Sequence, residues 1–337
     1  VTVAPPVPPS RPASPPLLQV RDLSVGFETD RGELSALDAV TIDVFAGDVV
    51  GIVGESGSGK TVLAKAVLGL LPERGVSLHG QILLGDLDLL PLTERELQSV
   101  RGDRIGLIFQ DPMTSLSPIV RVGRQITESI RIHQKVTRRA AASQAVDLLK
   151  ALGFADPEKR MRWYPHQLSG GMRQRVMIAS SLICEPEILI ADEATTGLDP
   201  IVELQLMGLL SSQQAARSFT LVIISHDLKL VGQFASTIVV LYAGRVMEMG
   251  PARAIMERPR VPYTAGLLAA APDLNGGGRA VLQPIEGGPP DLVHPPAGCR
   301  FAPRCGSAGS RCLVEAPPLR EADADGHRFA CWHPVGG

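Results

Sequence analysis

Gly54-Glu55-Ser56-Gly57-Ser58-Gly59-Lys60-Thr61 places glycines around a short turn and follows them with a lysine and a hydroxyl, directly after an apolar run and ahead of helical spacing. Glycines let successive backbone N–H groups point inward, and a helix beginning at Lys60 adds its positive end, so the segment is a cradle for phosphates. Lys60 is expected to reach the β- and γ-phosphates of a nucleotide and Thr61 to ligate Mg²⁺, with Val62 as the next backbone neighbour. A second carboxylate anchor is expected at the end of a buried strand, and Ile188-Leu189-Ile190-Ala191 ends in Asp192-Glu193. Asp192 would hold the ion through water, and Glu193 would orient or deprotonate an attacking water, or else cap a helix beginning near Ala194. His226 closes another apolar run, FTLVIIS, where an imidazole could contact the γ-phosphate or be an ordinary half-buried histidine.

These residues need a scaffold, and the chain has the material for one. Its 337 residues are 45% hydrophobic and 20% charged, a balance that excludes a disordered chain and allows one large domain or two ordinary ones. Thirty-three Lys+Arg against 35 Asp+Glu leave a net charge of −2, which argues against a nucleic-acid binder. No apolar stretch is long enough to span a bilayer, and the prolines of VTVAPPVPPSRPASPP do not suit a secretory signal. Residues 1–16 read as a Pro-rich tail or plain linker. From Leu17, short β-branched runs alternate with helical spacing, which predicts an α/β fold. Residues 111–185 read as a helical insertion within a domain of residues 17–272.

Leu168-Ser169-Gly170-Gly171-Met172-Arg173-Gln174-Arg175 resembles the signature motif of ABC transporter ATPases. Gln110 stands where that family places its Q-loop, Gly197-Leu198-Asp199 its D-loop and His226 its switch histidine. The segments FQDPMTSLSP, YPHQLSGGMRQRVMIA, PYTAGLLAAAP and GCRFAPRC narrow the likeness to dipeptide/oligopeptide permease ATPase subunits of the D type. Ser117 in place of the usual Asn and Val261 in place of the usual His depart from that pattern. The resemblance implies a P-loop nucleotide-binding domain with an antiparallel β subdomain and a helical subdomain. Its site would take ATP and Mg²⁺, the ion held by Thr61, Gln110 and Asp192. Phe27 would stack on adenine, unless it is a core aromatic. Ser169, Gly170 and Gly171 would open a helix whose anion-binding end serves the nucleotide of a partner, with Asp199 at the same seam.

The same resemblance implies an ATP-hydrolysing subunit of an importer for di- or oligopeptides, with nickel or glutathione import, or a soluble ATPase outside transport, as alternatives. The expected partners are two membrane-spanning permease subunits, a second and paralogous ATPase, and an extracytoplasmic peptide-binding protein, with no nucleic acid. The expected location is peripheral, on the cytoplasmic face of the cell membrane.

Residues 273–337 are rich in Gly and Pro and hold four of the five cysteines, Cys299, Cys305, Cys312 and Cys331, spaced C-x5-C-x6-C-x18-C. So short a segment is expected to need a covalent or metal crosslink. Wide spacing favours a [4Fe-4S] cluster, with Zn²⁺ the alternative and free thiols or a disulfide also open.

Overall fold

A computed structural model describes residues 15–108, 116–194, 199–271, 284–322 and 326–336. In chain order the strands are β1 (Leu18–Thr29), β2 (Gly32–Val44), β3 (Val49–Val53), β4 (Val76–Leu84), β5 (Leu87–Asp88), β6 (Ile105–Ile108), β7 (Ile188–Asp192), β8 (Thr220–Ser225), β9 (Thr237–Tyr242), β10 (Arg245–Pro251), β11 (Arg320–Glu321) and β12 (Arg328–Phe329). The chain divides into two compact units, residues 1–91 with 223–337 and residues 92–222. Among the described residues no helix is long and apolar enough to cross a membrane.

The first unit contains an antiparallel sheet in the order β2-β1-β4-β5. Alternation in β1 and β2 turns Leu18, Val20, Val25, Val40, Ile42 and Val44 inward, each worth roughly 1.5–3 kcal/mol of burial. A second sheet carries the nucleotide loop. In it β3 pairs in parallel with β9, and all five β3 residues are buried, as a strand covered on both faces requires. β9 returns antiparallel into β10 through Ala243 and Gly244, both at positive φ (49° and 81°), the geometry of a tight hairpin turn.

In the second unit β6 and β7 run parallel, with Ile105 opposite Ile188. The helix Val122–His133 buries Val122, Ile126 and Ile130, one stripe at helical spacing. The helix Arg138–Ala151 offers Ala141, Ala145, Leu148 and Leu149, and Thr137 caps it by accepting the Ala140 N–H at 3.2 Å.

The C-terminal segment corrects the expectation of a [4Fe-4S] cluster or zinc ion. Its four cysteine thiols are free and line one small cavity of about 20 Å³, room for roughly one water. Among the described residues, no three His, Cys, Asp or Glu side chains form a group that could hold a metal ion. The segment is held by docking instead. β12 pairs with β10, the Arg300 guanidinium reaches Asp38 at 2.5 Å, Ser35 at 3.1 Å and the Ala243 carbonyl, and Phe301 packs edge-on to Tyr242. Borrowing the core of the first unit removes the need for a crosslink that an isolated segment of this size has.

Burial pushes the Cys299, Cys305 and Cys331 thiols up and so favours their neutral form. It pushes Cys331, and separately Cys184 beyond the helix Gly170–Leu182, up to about 11. A group raised in this way stays protonated at pH 8, so both thiols should alkylate there roughly a hundredfold more slowly than an ordinary thiol near 8.5. Mass spectrometry of native and denatured chain checks this. Equal labelling rates in the two states would show that burial does not protect them.

Candidate functional site

The loop after β3 is built by glycines at positions other residues cannot occupy. A Cβ on Gly54 would stand 2.1 Å from the Leu241 carbonyl oxygen, and one on Gly59 (φ 103°) would meet Leu37 and the Ala36 carbonyl below 3 Å. Gly57, at φ 79°, has no atom within 4 Å of a Cβ and faces open space. Ser58 is buried; its carbonyl accepts the Gly244 N–H at 2.9 Å, which ties the loop to the β9–β10 turn.

Lys60 opens the helix Lys60–Val67 and is 3% exposed. Its ammonium donates to the carbonyls of Gly54 at 2.8 Å and Glu55 at 2.9 Å, and to Ser58 Oγ at 3.4 Å. A cation held inside a ring of backbone, at a helix N-terminus, beside a glycine that leaves space open, fits a phosphate chain. Thr61 and Val62 follow in the first turn, half-buried. Ser56 is exposed.

Also in the first unit, Phe27 is half-buried on β1 between Leu34 of β2 and Val76 of β4. His226 is exposed at the end of β8, ahead of Asp227, which caps the next helix by accepting the Leu230 N–H at 2.9 Å.

In the second unit, buried β7 delivers Asp192 and Glu193, both half-buried. Glu193 has φ 46°, a left-handed conformation that a non-glycine residue seldom adopts and that recurs at functional positions. Ser169 caps the helix Gly170–Leu182, its hydroxyl accepting the Met172 N–H at 3.4 Å. Ser169, Gly170 and Gly171 are exposed, and a Cβ on either glycine would touch nothing within 4 Å. Asp199 caps the helix Pro200–Arg217 by accepting the Ile201 N–H at 2.9 Å, and Ile201 is 69% exposed. Gln110, Gly197 and Leu198 lie outside the described residues, as do residues 1–14 of the Pro-rich tail.

Sequence reasoning missed Arg304 and Tyr263. Arg304 pairs with Glu55 of the loop, and the Tyr263 hydroxyl accepts the Glu55 N–H at 2.9 Å. Both lie in segments already singled out, PYTAGLLAAAP and GCRFAPRC, where the cysteines drew the chemical reading away from the arginines.

Residues 37–196 match the family model described as ABC transporter, and residues 247–312 match the one described as oligopeptide/dipeptide transporter, C-terminal region. The chain is 44% identical over 321 residues to the oligopeptide transport ATP-binding protein OppD of Bacillus subtilis, covering 94% of this chain and 89% of that one. It is 43% identical over 319 residues to the dipeptide transport ATP-binding protein DppD of the same organism, covering 94% of each. Among solved structures, the ATP-binding cassette MJ0796, in a dimeric post-hydrolysis state bound to ADP and Pi, matches with a TM-score of 0.62 and 25% identity. That match covers 70% of this chain and 99% of the other.

Proposed function

This chain belongs to the ABC transporter family, in the branch that carries the oligopeptide/dipeptide C-terminal region, and we propose that its ATP hydrolysis powers uptake of di- and oligopeptides. The observation that carries this reading is the coexistence, in one chain, of a phosphate loop closed around buried Lys60 and a C-terminal region matched over residues 247–312.

Each residue then has a part. The N–H groups of residues 54–62 and the Lys60 ammonium bind the phosphates, and Phe27 stacks on adenine. Thr61, Gln110 and Asp192 are the residues that would hold Mg²⁺, whose charge offsets that of the phosphate oxygens when it is bound. Glu193 accepts the proton of the attacking water, and His226 donates a hydrogen bond toward the γ-phosphate.

The exposed helix end at Ser169 serves the nucleotide of a second ATPase subunit, a paralogue, across a surface that includes Asp199 and exposed Ile201. Membrane permease partners supply the path for the cargo. Two such subunits and an extracytoplasmic peptide-binding protein complete the assembly, with this chain on the cytoplasmic face.

The test is uptake of a labelled dipeptide by membrane vesicles that carry the assembled transporter. Lys60→Ala removes a charge-assisted contact and should weaken ATP binding roughly a hundredfold, taking uptake to background. ATP-driven accumulation of Ni²⁺ or glutathione without the dipeptide would reassign the cargo. Full uptake in Lys60→Ala would overturn the loop assignment.

A further inference from the structure

A carboxylate is an unfavourable neighbour for a triphosphate, yet Glu55 is the second residue of the phosphate loop. Its side chain is engaged by Arg304, 249 residues later in the C-terminal extension, through Nη1 to Oε2 at 2.6 Å and Nη2 to Oε1 at 3.0 Å. This two-pronged pair both orients the carboxylate and cancels its charge.

Arg304 is itself tightly fixed. Nε donates to the Glu286 carbonyl at 2.9 Å, Nη1 also to the Tyr242 hydroxyl at 3.2 Å, and Nη2 also to the Ile285 carbonyl at 3.1 Å. Together with the two Glu55 contacts, these account for all five guanidinium N–H groups. The side chain is only 6% exposed, and the guanidinium lies 5.8 Å from the ring centres of both Tyr242 and Phe301. Those two rings and Tyr263 form one cluster with centroids 4.6 to 5.2 Å apart.

Glu55 is thus held at three points. Its carboxylate goes to Arg304, its N–H to the Tyr263 hydroxyl, and its carbonyl to the Lys60 ammonium. A displacement of Arg304 therefore passes through one residue to the lysine that meets the phosphates.

We propose that Arg304 is a positioning residue for the nucleotide loop, clamping Glu55 so that docking of the C-terminal extension raises the affinity for ATP. The inference rests on the reading of this loop as an ATP site. Coupling of this kind is reciprocal, so ATP must favour docking of the extension by the same factor. Lysine cannot substitute fully, because an ammonium is a point charge and cannot span both carboxylate oxygens.

The experiment compares wild type, Arg304→Gln, Arg304→Lys and the double variant Glu55→Gln/Arg304→Gln, all as full-length chains. Its readouts are KM for ATP, kcat, melting temperature, and amide hydrogen exchange of residues 54–60 without nucleotide. Arg304→Gln should raise KM about tenfold with kcat within about twofold, and Arg304→Lys should recover only part of that loss. The double variant should be no worse than Arg304→Gln, since one interaction has been removed from either side. Loop amides should exchange several times faster in Arg304→Gln, roughly in step with the KM change. A lower melting temperature with unchanged KM and unchanged loop exchange would make Arg304 merely structural and overturn the proposal. Should wild type bind no ATP, the reading of the site fails by itself, and loop exchange alone still decides whether the clamp exists.

Discussion

Glu193→Gln should lower the rate of ATP hydrolysis by about 10²–10⁴-fold, the range for loss of a positioned general base, while ATP binding persists. The amide keeps the shape and one hydrogen-bonding oxygen of the carboxylate but cannot take up the proton of the attacking water. The backbone argument points the same way. A five-residue strand whose first four residues are buried ends at Asp192, and the next residue is bent to φ 46°, an uncommon backbone conformation of the kind that recurs at functional positions. If hydrolysis is what reopens the ATP-closed state of two subunits, blocking it should also trap them together. Size-exclusion chromatography of the variant with ATP, mixed with the proposed second ATPase subunit, should show a stable dimer that wild type does not keep. A turnover loss of no more than a few fold would remove Glu193 from the base role.

Much of this site was legible because it is local. Gly54 to Thr61 is contiguous, the strand before it is an unbroken apolar run, and the helix after it starts where glycine spacing places it. Ser169 as a helix cap, likewise, follows from a serine ahead of two glycines and a helical period. The C-terminal extension was not legible for the opposite reason. Two of its fastenings join residues more than 240 positions apart, Arg300 to Asp38 and Arg304 to Glu55, and no periodicity in either segment announces them. Counting cysteines in a segment without its own core led to a metal cluster. That inference assumed the segment must close on itself, whereas Phe301 and His327 insert into a core that already exists. The arginines beside the cysteines, at positions 300 and 304, were the informative residues.

Glu248→Ala should destabilise the chain by about 3–5 kcal/mol, because it removes the acceptor of three hydrogen bonds in a closed interior. Glu248 lies on β10 with no exposure, and its Oε1 is 2.7 Å from Nε2 of His327, itself 1% exposed. The same carboxylate accepts the N–H of Arg260 at 2.6 Å and, through Oε2, the N–H of Val261 at 3.1 Å. One side chain therefore joins β10, the turn into the helix Pro262–Ala270, and the last stretch of the chain. Alanine deprives three polar groups of this acceptor in a closed interior, each worth about 1–3 kcal/mol, with partial relaxation limiting the sum. Glu248→Gln retains one acceptor oxygen and should lose less than Glu248→Ala. Urea unfolding gives the order, and limited proteolysis gives the place, since residues 326–336 should become cleavable in Glu248→Ala before the rest of the first unit. A loss below about 1 kcal/mol, within the range of an ordinary exposed pair, would mean that the extension is held by its arginines and aromatic rings without this carboxylate.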